Sequence, residues 1–311
     1  MNLRRFSVYC AGFAASILVL SGTVQAGLPV IVASDNADNV QYAPQPNHNW
    51  SIVNGGFGYG LWTPLADQAG GGTYMEGVGV NNRQVEGNFS FALYAGGGGF
   101  DISRPLVNPI TGIGEFDIIT RFDVADTPGS SLVNIRAGNN TAGFGAGELL
   151  SFGIVNGNNL SYTDGTGFHP LPSGEARGSV WSWNVDFNAG AGTYSASVTN
   201  LGGGFAAFFN GSLEPNGNNV GSFAVLNSST GNNQNVIFDV PTFSIIPEPS
   251  AVALLGLGGF SLLALRRCAQ INPPQLASEK LPAYAVGQSG DRSGARSGGR
   301  GHRRHPNGVF G

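Results

Sequence analysis

Glu115 and Asp117 stand two residues apart in Gly114–Val124, where Phe116, Ile118, Phe122 and Val124 alternate with Glu115, Asp117, Arg121 and Asp123. On a β-strand, residues i and i+2 share a face, so both carboxylates point the same way. Glycoside hydrolysis needs two carboxyl groups across a sugar, one as acid and the other as nucleophile or base. The same pattern also describes the solvated face of an amphipathic strand, with Arg121 offsetting the acids, and that is the expectation here. No catalytic residue is assigned and the chain is read as a non-enzyme.

Other catalytic or metal sets are poorly provided for. Between the two ends of the chain the only histidines are His48 and His169, the latter in a Gly167-Phe168-His169-Pro170 turn. There is no Gly-x-Ser-x-Gly elbow and no His-Glu-x-x-His pair, so neither a serine triad nor a zinc site is expected. Calcium is the one cofactor the residues leave room for. Asp35-Asn36-Ala37-Asp38-Asn39 and Asp123-Val124-Ala125-Asp126-Thr127 cluster oxygen ligands, although Asx turns account for both without metal. Trp50, Tyr59, Trp62 and Tyr162 lie in Gly- and Asn-rich stretches that read as loops, where flat rings beside amides would contact a glycan. Trp181 and Trp183 share an apolar stripe and read as core.

The elements that must carry these residues are strands. Glycine makes up 50 of the 311 residues, and Asn is also abundant. Both tolerate positive φ and mark tight turns. Period-2 runs recur at Asn88–Tyr94, Leu132–Ala137, Leu149–Val155, Leu160–Thr163, Phe205–Phe209, Val220–Leu226 and Asn235–Phe243. Val180–Phe187, with Ser182, Asn184 and Asp186 opposite its apolar face, and Thr193–Thr199 read as a hairpin around Asn188–Gly192. About a dozen short strands, with no fixed repeat, predict an all-β antiparallel jelly-roll sandwich. Residues 27–246 are taken as one domain, with Gly27–Thr73 as first strands and long loops. From Leu28 to Ile246 there are 16 Asp and Glu against five Arg and no Lys, a balance of −11. Such a surface repels a phosphate backbone and excludes nucleic acid as a partner.

The two ends read as addresses. Residues 1–26 have the parts of a secretory signal: Arg4 and Arg5, the apolar Val8–Leu20, and Val24-Gln25-Ala26, which predicts cleavage between Ala26 and Gly27. The two cysteines, Cys10 and Cys268, lie outside the domain, which therefore has no disulfide. At the other end, Pro247-Glu248-Pro249 precedes Ser250–Leu265, 16 residues without charge, and then Arg266-Arg267. As a helix this run is about 24 Å long, short of a ~30 Å hydrocarbon core. Arg266 and Arg267 would stop it at the cytoplasmic face, leaving the domain outside. Residues 268–311 are rich in Gly, Ser and Arg and read as a disordered basic tail.

Pro247-Glu248-Pro249, the apolar run with Gly256, Gly258 and Gly259, and Arg266-Arg267 together resemble a PEP-CTERM sorting signal spanning 247–267. The resemblance implies an exosortase-type membrane enzyme as partner, acting near the Pro-Glu-Pro motif. It also implies a Gram-negative-type bacterium that makes exopolysaccharide. The chain would pass through an inner-membrane-anchored precursor on its way to the cell surface or biofilm matrix. The extent of the strands from about residue 75 to 246, with the Trp-rich hairpin late in the chain, resembles a concanavalin-A/laminin-G-like jelly roll. Glycosidases of the laminarinase type, also jelly rolls, carry Glu-x-Asp-x-(x)-Glu. Here Ile119 or Thr120 stands where the last Glu would be. The function expected is an exported non-enzymatic surface or matrix protein. A carbohydrate-binding module of the exopolysaccharide matrix is the alternative, and a divergent glycoside hydrolase comes third.

Overall fold

Among the described residues fifteen strands fall into two antiparallel sheets. Across the larger run β13 (Ala206–Ser212), β12 (Thr193–Asn200), β11 (Val180–Asn188), β6 (Ile113–Asp123), β15 (Gln234–Ile245), β4 (Phe89–Ala95) and β3 (Gly72–Gly77), with β1 (Val30–Ser34) paired to β15. Across the other run β10 (Gly167–Pro170), β9 (Leu160–Asp164), β8 (Glu148–Val155), β7 (Ser130–Arg136), β14 (Val220–Asn227), β5 (Phe100–Ile110) and β2 (Thr63–Ala66). Between β4 and β7, and again between β13 and β15, the chain changes sheet at every strand, which gives the jelly-roll sandwich its topology.

The computed structural model describes residues 28–247 except 43–48, 67–70, 79–81, 96–98, 124–128, 140–142, 144, 156–157 and 229–233. Ala26, Gly27, Glu248, Pro249, the 250–265 run, Arg266, Arg267, the 268–311 tail and His48 lie outside the described residues. Among the described residues no helix is long and apolar enough to cross a membrane.

Alternation explains why these segments are strands. β6 switches between half-buried and buried at every residue, placing Phe116, Ile118, Thr120 and Phe122 inward. β11 and β12 do the same with Trp181, Trp183, Val185 and Phe187, and with Tyr194, Ala196 and Val198. Facing them across the core stand Val133, Ile135, Phe152, Ile154, Phe223 and Val225 from the other sheet. The ring centroids of Phe152 and Trp183 are 4.5 Å apart, and those of Phe116 and Phe243 are 4.4 Å apart. Each such side chain contributes roughly 1.5–3 kcal/mol by leaving water.

Where Trp50, Tyr59 and Trp62 were expected as exposed loop platforms, they are core residues, with exposures of 0%, 5% and 4%. Trp50 Nε1 donates to Tyr74 O at 2.8 Å, and the Tyr59 hydroxyl donates to Pro241 O at 2.9 Å. The glycines around them serve close approach rather than flexible loops. Gly58, at φ 75°, lies so near β1 that a Cβ would stand 2.0 Å from Val32 O. With the backbone pressed against β1, the aromatic side chains turn inward. There the guanidinium of Arg104 lies 4.7 Å from the ring centroids of both Tyr59 and Trp62, in cation–π geometry. Arg104 is fully buried and ion-paired with Asp35, and it donates to Asn54 Oδ1 at 2.6 Å. A buried charge needs this much company, because an unpaired one would cost several kcal/mol.

β15 stays paired with β6 but changes its other neighbour midway, from β4 at 234–238 to β1 at 242–245. The change occurs at a bulge between Asp239 and Thr242, where Val240 takes φ 51°. Asp239 pins the bulge by accepting from Val240 N at 2.8 Å and Ala37 N at 3.0 Å.

Candidate functional site

The outward side chains of β6, β11, β12 and β13 form two polar rows. Register aligns Asp117, Asn184, Ser197 and Phe208 in one row, and Glu115, Asp186, Ser195 and Asn210 in the next. The Asn184 side-chain amide donates to Glu115 Oε1 and, at 2.9 Å, to Asp117 Oδ1. Phe208 is 70% exposed at the edge of the same surface. Burial raises the Asp117 carboxyl above its usual range. The Asn184 hydrogen bond pulls it back, and the charges of Glu115 and Asp186 push it up again. Burial and the Glu115 charge raise Asp186 as well.

Glu115 and Asp117 do share a face, as the strand period requires. The third acid is supplied from across the ladder by Asp186, not from within β6. Ile119 is half-buried beside Asp239, and the Thr120 hydroxyl points inward and accepts from Trp183 Nε1 at 2.9 Å. Asn184 bridges the two β6 carboxylates, where a reacting sugar would have to enter. The chemistry offered is therefore hydrogen bonding from a broad surface: carboxylate acceptors, amide and hydroxyl groups, and one flat exposed ring. Sequence reasoning found Glu115 and Asp117. It placed Asn184 and Asp186 on the polar side of their strand without linking them to β6, because that link is a matter of register.

The remaining candidates are dispersed. Tyr162 is half-buried and stacked between His169, at 4.6 Å, and Phe209, at 4.2 Å. Asp164 Oδ1 accepts from Thr166 N at 2.8 Å and lies 3.1 Å from His169 Nε2, which is also 2.9 Å from Thr166 Oγ1. Both contacts of His169 fall on one ring nitrogen, so no proton relay runs through the ring. The Tyr194 hydroxyl donates to the other Asp164 oxygen at 2.8 Å. These hydrogen bonds outweigh burial and hold Asp164 below the usual carboxylate range.

The oxygens of the first calcium candidate are engaged by the protein. Asp35 pairs with Arg104 and Tyr42, Asp38 accepts from Asn88 N and Phe89 N, and Asn36 and Asn39 close Asx turns. In the second, Asp123 pairs with Arg83 and Arg121, and residues 124–127 lie outside the described residues. Among the described residues no three His, Cys, Asp or Glu side chains are placed to hold a metal ion.

The outer face of the seven-stranded sheet is also polar but closed. Ser103, Asn134, Arg136 and Ser222 have no exposure and Ser151 only 2%. Arg136 donates to Ala146 O at 3.0 Å and Gly143 O at 2.5 Å, and Ser222 Oγ donates to Gly138 O at 2.9 Å. The chain at Gly138 rests on the sheet so closely that a Cβ on Gly221 would stand 2.5 Å from it.

No family model matches the chain, and no curated protein matches it by sequence. Solved structures that are similar to it include a peanut lectin with a bound 9mer peptide, 12% identical, covering 57% of this chain and 99% of the lectin at TM-score 0.40. The globular domain of T. cruzi calreticulin is 10% identical, covering 78% and 100% at TM-score 0.44. A CBM2 module of the evolved Dit of Lactobacillus casei BL23 phage J-1 is 11% identical, covering 60% and 95% at TM-score 0.37.

Proposed function

We propose that the chain is an exported, non-catalytic surface or matrix protein, delivered through its C-terminal PEP-CTERM-type signal, whose sandwich holds polysaccharide on the open face of the eight-stranded sheet. The observation that carries this reading is the solvent-facing pair of rows around Asn184, flanked by Glu115, Asp117, Asp186, Ser195 and Ser197 and ending at the exposed ring of Phe208. Neutral sugars are recognised by directional hydrogen bonds to hydroxyls together with a flat apolar contact, and this face supplies both. A surface of this kind binds a long polymer weakly at each point and holds it by repetition.

The test is binding of the full chain to immobilised exopolysaccharide and to a glycan array, with Asn184→Ala and Phe208→Ala beside the native protein. Each variant should lose binding without losing thermal stability. Equal binding by all three would refute this face as the site. The raised carboxyls of Asp117 and Asp186 support one rival, slow glycoside hydrolysis. Release of reducing sugar from β-glucan, abolished by Glu115→Gln or Asp186→Asn, would replace the proposal with that reading.

A further inference from the structure

Around β1 four neighbouring stretches of the domain carry no charge. β1 begins at Val30, in register with Ile245, so the chain's entry into the sandwich and its exit toward Pro247 lie side by side. Against the other side of β1 runs the segment around Phe57 and Gly58, joined to it by the Ser34–Phe57 bridge. The same segment meets β5 through the Tyr59–Leu106 bridge and the Val107 N to Gly58 O hydrogen bond of 2.9 Å. These four neighbouring stretches, 28–34, 55–65, 105–114 and 240–247, contain no Asp, Glu, Lys or Arg, although the domain as a whole carries a balance of −11.

The surface they make is apolar. Leu28, Val30, Ile31, Phe57, Leu61 and Val107 are each more than half exposed. Beside them Val32, Ile110, Ile113, Ile245 and Ile246 line an open cleft of about 500 Å³. Exposed apolar side chains grouped on one side of an acidic domain mark a place where water is displaced by something else. From Pro247 only three residues lead to the uncharged run that starts at Ser250, a reach of roughly 10 Å.

We propose that this apolar side of the sandwich, around β1 and β5, is a membrane-contacting face, which rests its apolar side chains in the lipid interface while the chain is anchored. The inference depends on the sequence reading that residues 250–265 enter the bilayer. Given that anchor, the short tether, whose one charge is Glu248, holds the apolar patch at the interface, and none of the four stretches adds a carboxylate. The acidic and polar rows run across β6, β11, β12 and β13 on the outer surface of the eight-stranded sheet and remain available to a polymer.

The full chain, with Cys10→Ser and Cys268→Ser, is placed in membranes, and a polarity-sensitive fluorophore is attached in turn at Ile31→Cys, Val107→Cys and Leu201→Cys. Leu201 is exposed and lies past the end of β12 that pairs with the start of β11, at the opposite end of the sheet. Brominated lipid should quench the fluorophore at 31 and 107 and leave it unchanged at 201. Carbonate-resistant membrane retention with no quenching at 31 and 107 would overturn the proposal and leave the anchor standing. Release by carbonate would remove the anchor and the proposal with it. Equal quenching at all three positions, or a blue shift at 31 and 107 without quenching, would also overturn it, the second by showing a protein cover.

Discussion

Both outer faces of this sandwich are polar, yet they use polarity differently. On the seven-stranded sheet the polar groups are shut in: Arg136 is spent on the carbonyls of Gly143 and Ala146, and Ser103 buries a hydroxyl that has no hydrogen-bond partner among the described residues. On the eight-stranded sheet Glu115, Asn184, Asp186 and Ser197 are only partly covered and Phe208 stands free. A closed polar face is bound up with folding, whereas an open one is available for recognition. The same residue types therefore have opposite consequences when removed.

The largest expected effect is on the closed face. Arg136→Ala removes a buried guanidinium and leaves two carbonyls unpaired, at a cost of about 3 kcal/mol in chemical denaturation, with polysaccharide binding unchanged below the transition. Asp239 comes next, as a closed-off carboxylate on the open sheet. Burial pushes its carboxyl up to about 7, against the backbone hydrogen bonds from Ala37 and Val240 that pull it down. The folded chain then holds a proton that the unfolded chain has released. Stability should fall as pH rises from about 4 to about 7, by a few kcal/mol, with the loss complete above that window. Asp239→Asn should flatten the dependence in thermal melts at stepped pH; an unchanged slope would assign it elsewhere.

On the open face Asn184→Ala should weaken polysaccharide binding about tenfold, or 1.4 kcal/mol, while moving stability by less than about 1 kcal/mol. The smallest effects invert the usual sign. Ser103→Ala removes an unpartnered buried hydroxyl and should be neutral or stabilising by up to about 1 kcal/mol. Ser197→Ala on the open face should stay within about 0.5 kcal/mol. A clear loss of stability in Ser103→Ala would mean that its hydroxyl has a partner and that the contrast between the faces is overstated.

What the sequence disclosed follows the same division. β6, β11 and β12 were legible because one side of each is wet and the other dry, so composition alternates with the pleat. β5 was not, since Phe100 to Arg104 are all buried on both sides and leave no alternation to read. Trp50, Tyr59 and Trp62 were misplaced because their glycines suggested loops, when Gly58 in fact lets the backbone press against β1. In the site, the co-facing of Glu115 and Asp117 is a local property and was visible. Their meeting with Asn184 and Asp186 joins strands more than sixty residues apart, and nothing local encodes that register.

The last strand gives the domain a mechanical character. β15 is hydrogen-bonded along both of its edges, to β6 on one side and to β4 and then β1 on the other, and the chain leaves directly from its end. Tension applied at the C-terminal end of β15 therefore loads two ladders in shear at once instead of peeling an edge strand bond by bond. A domain held this way should yield at high force and all together, as the proposed surface attachment would require.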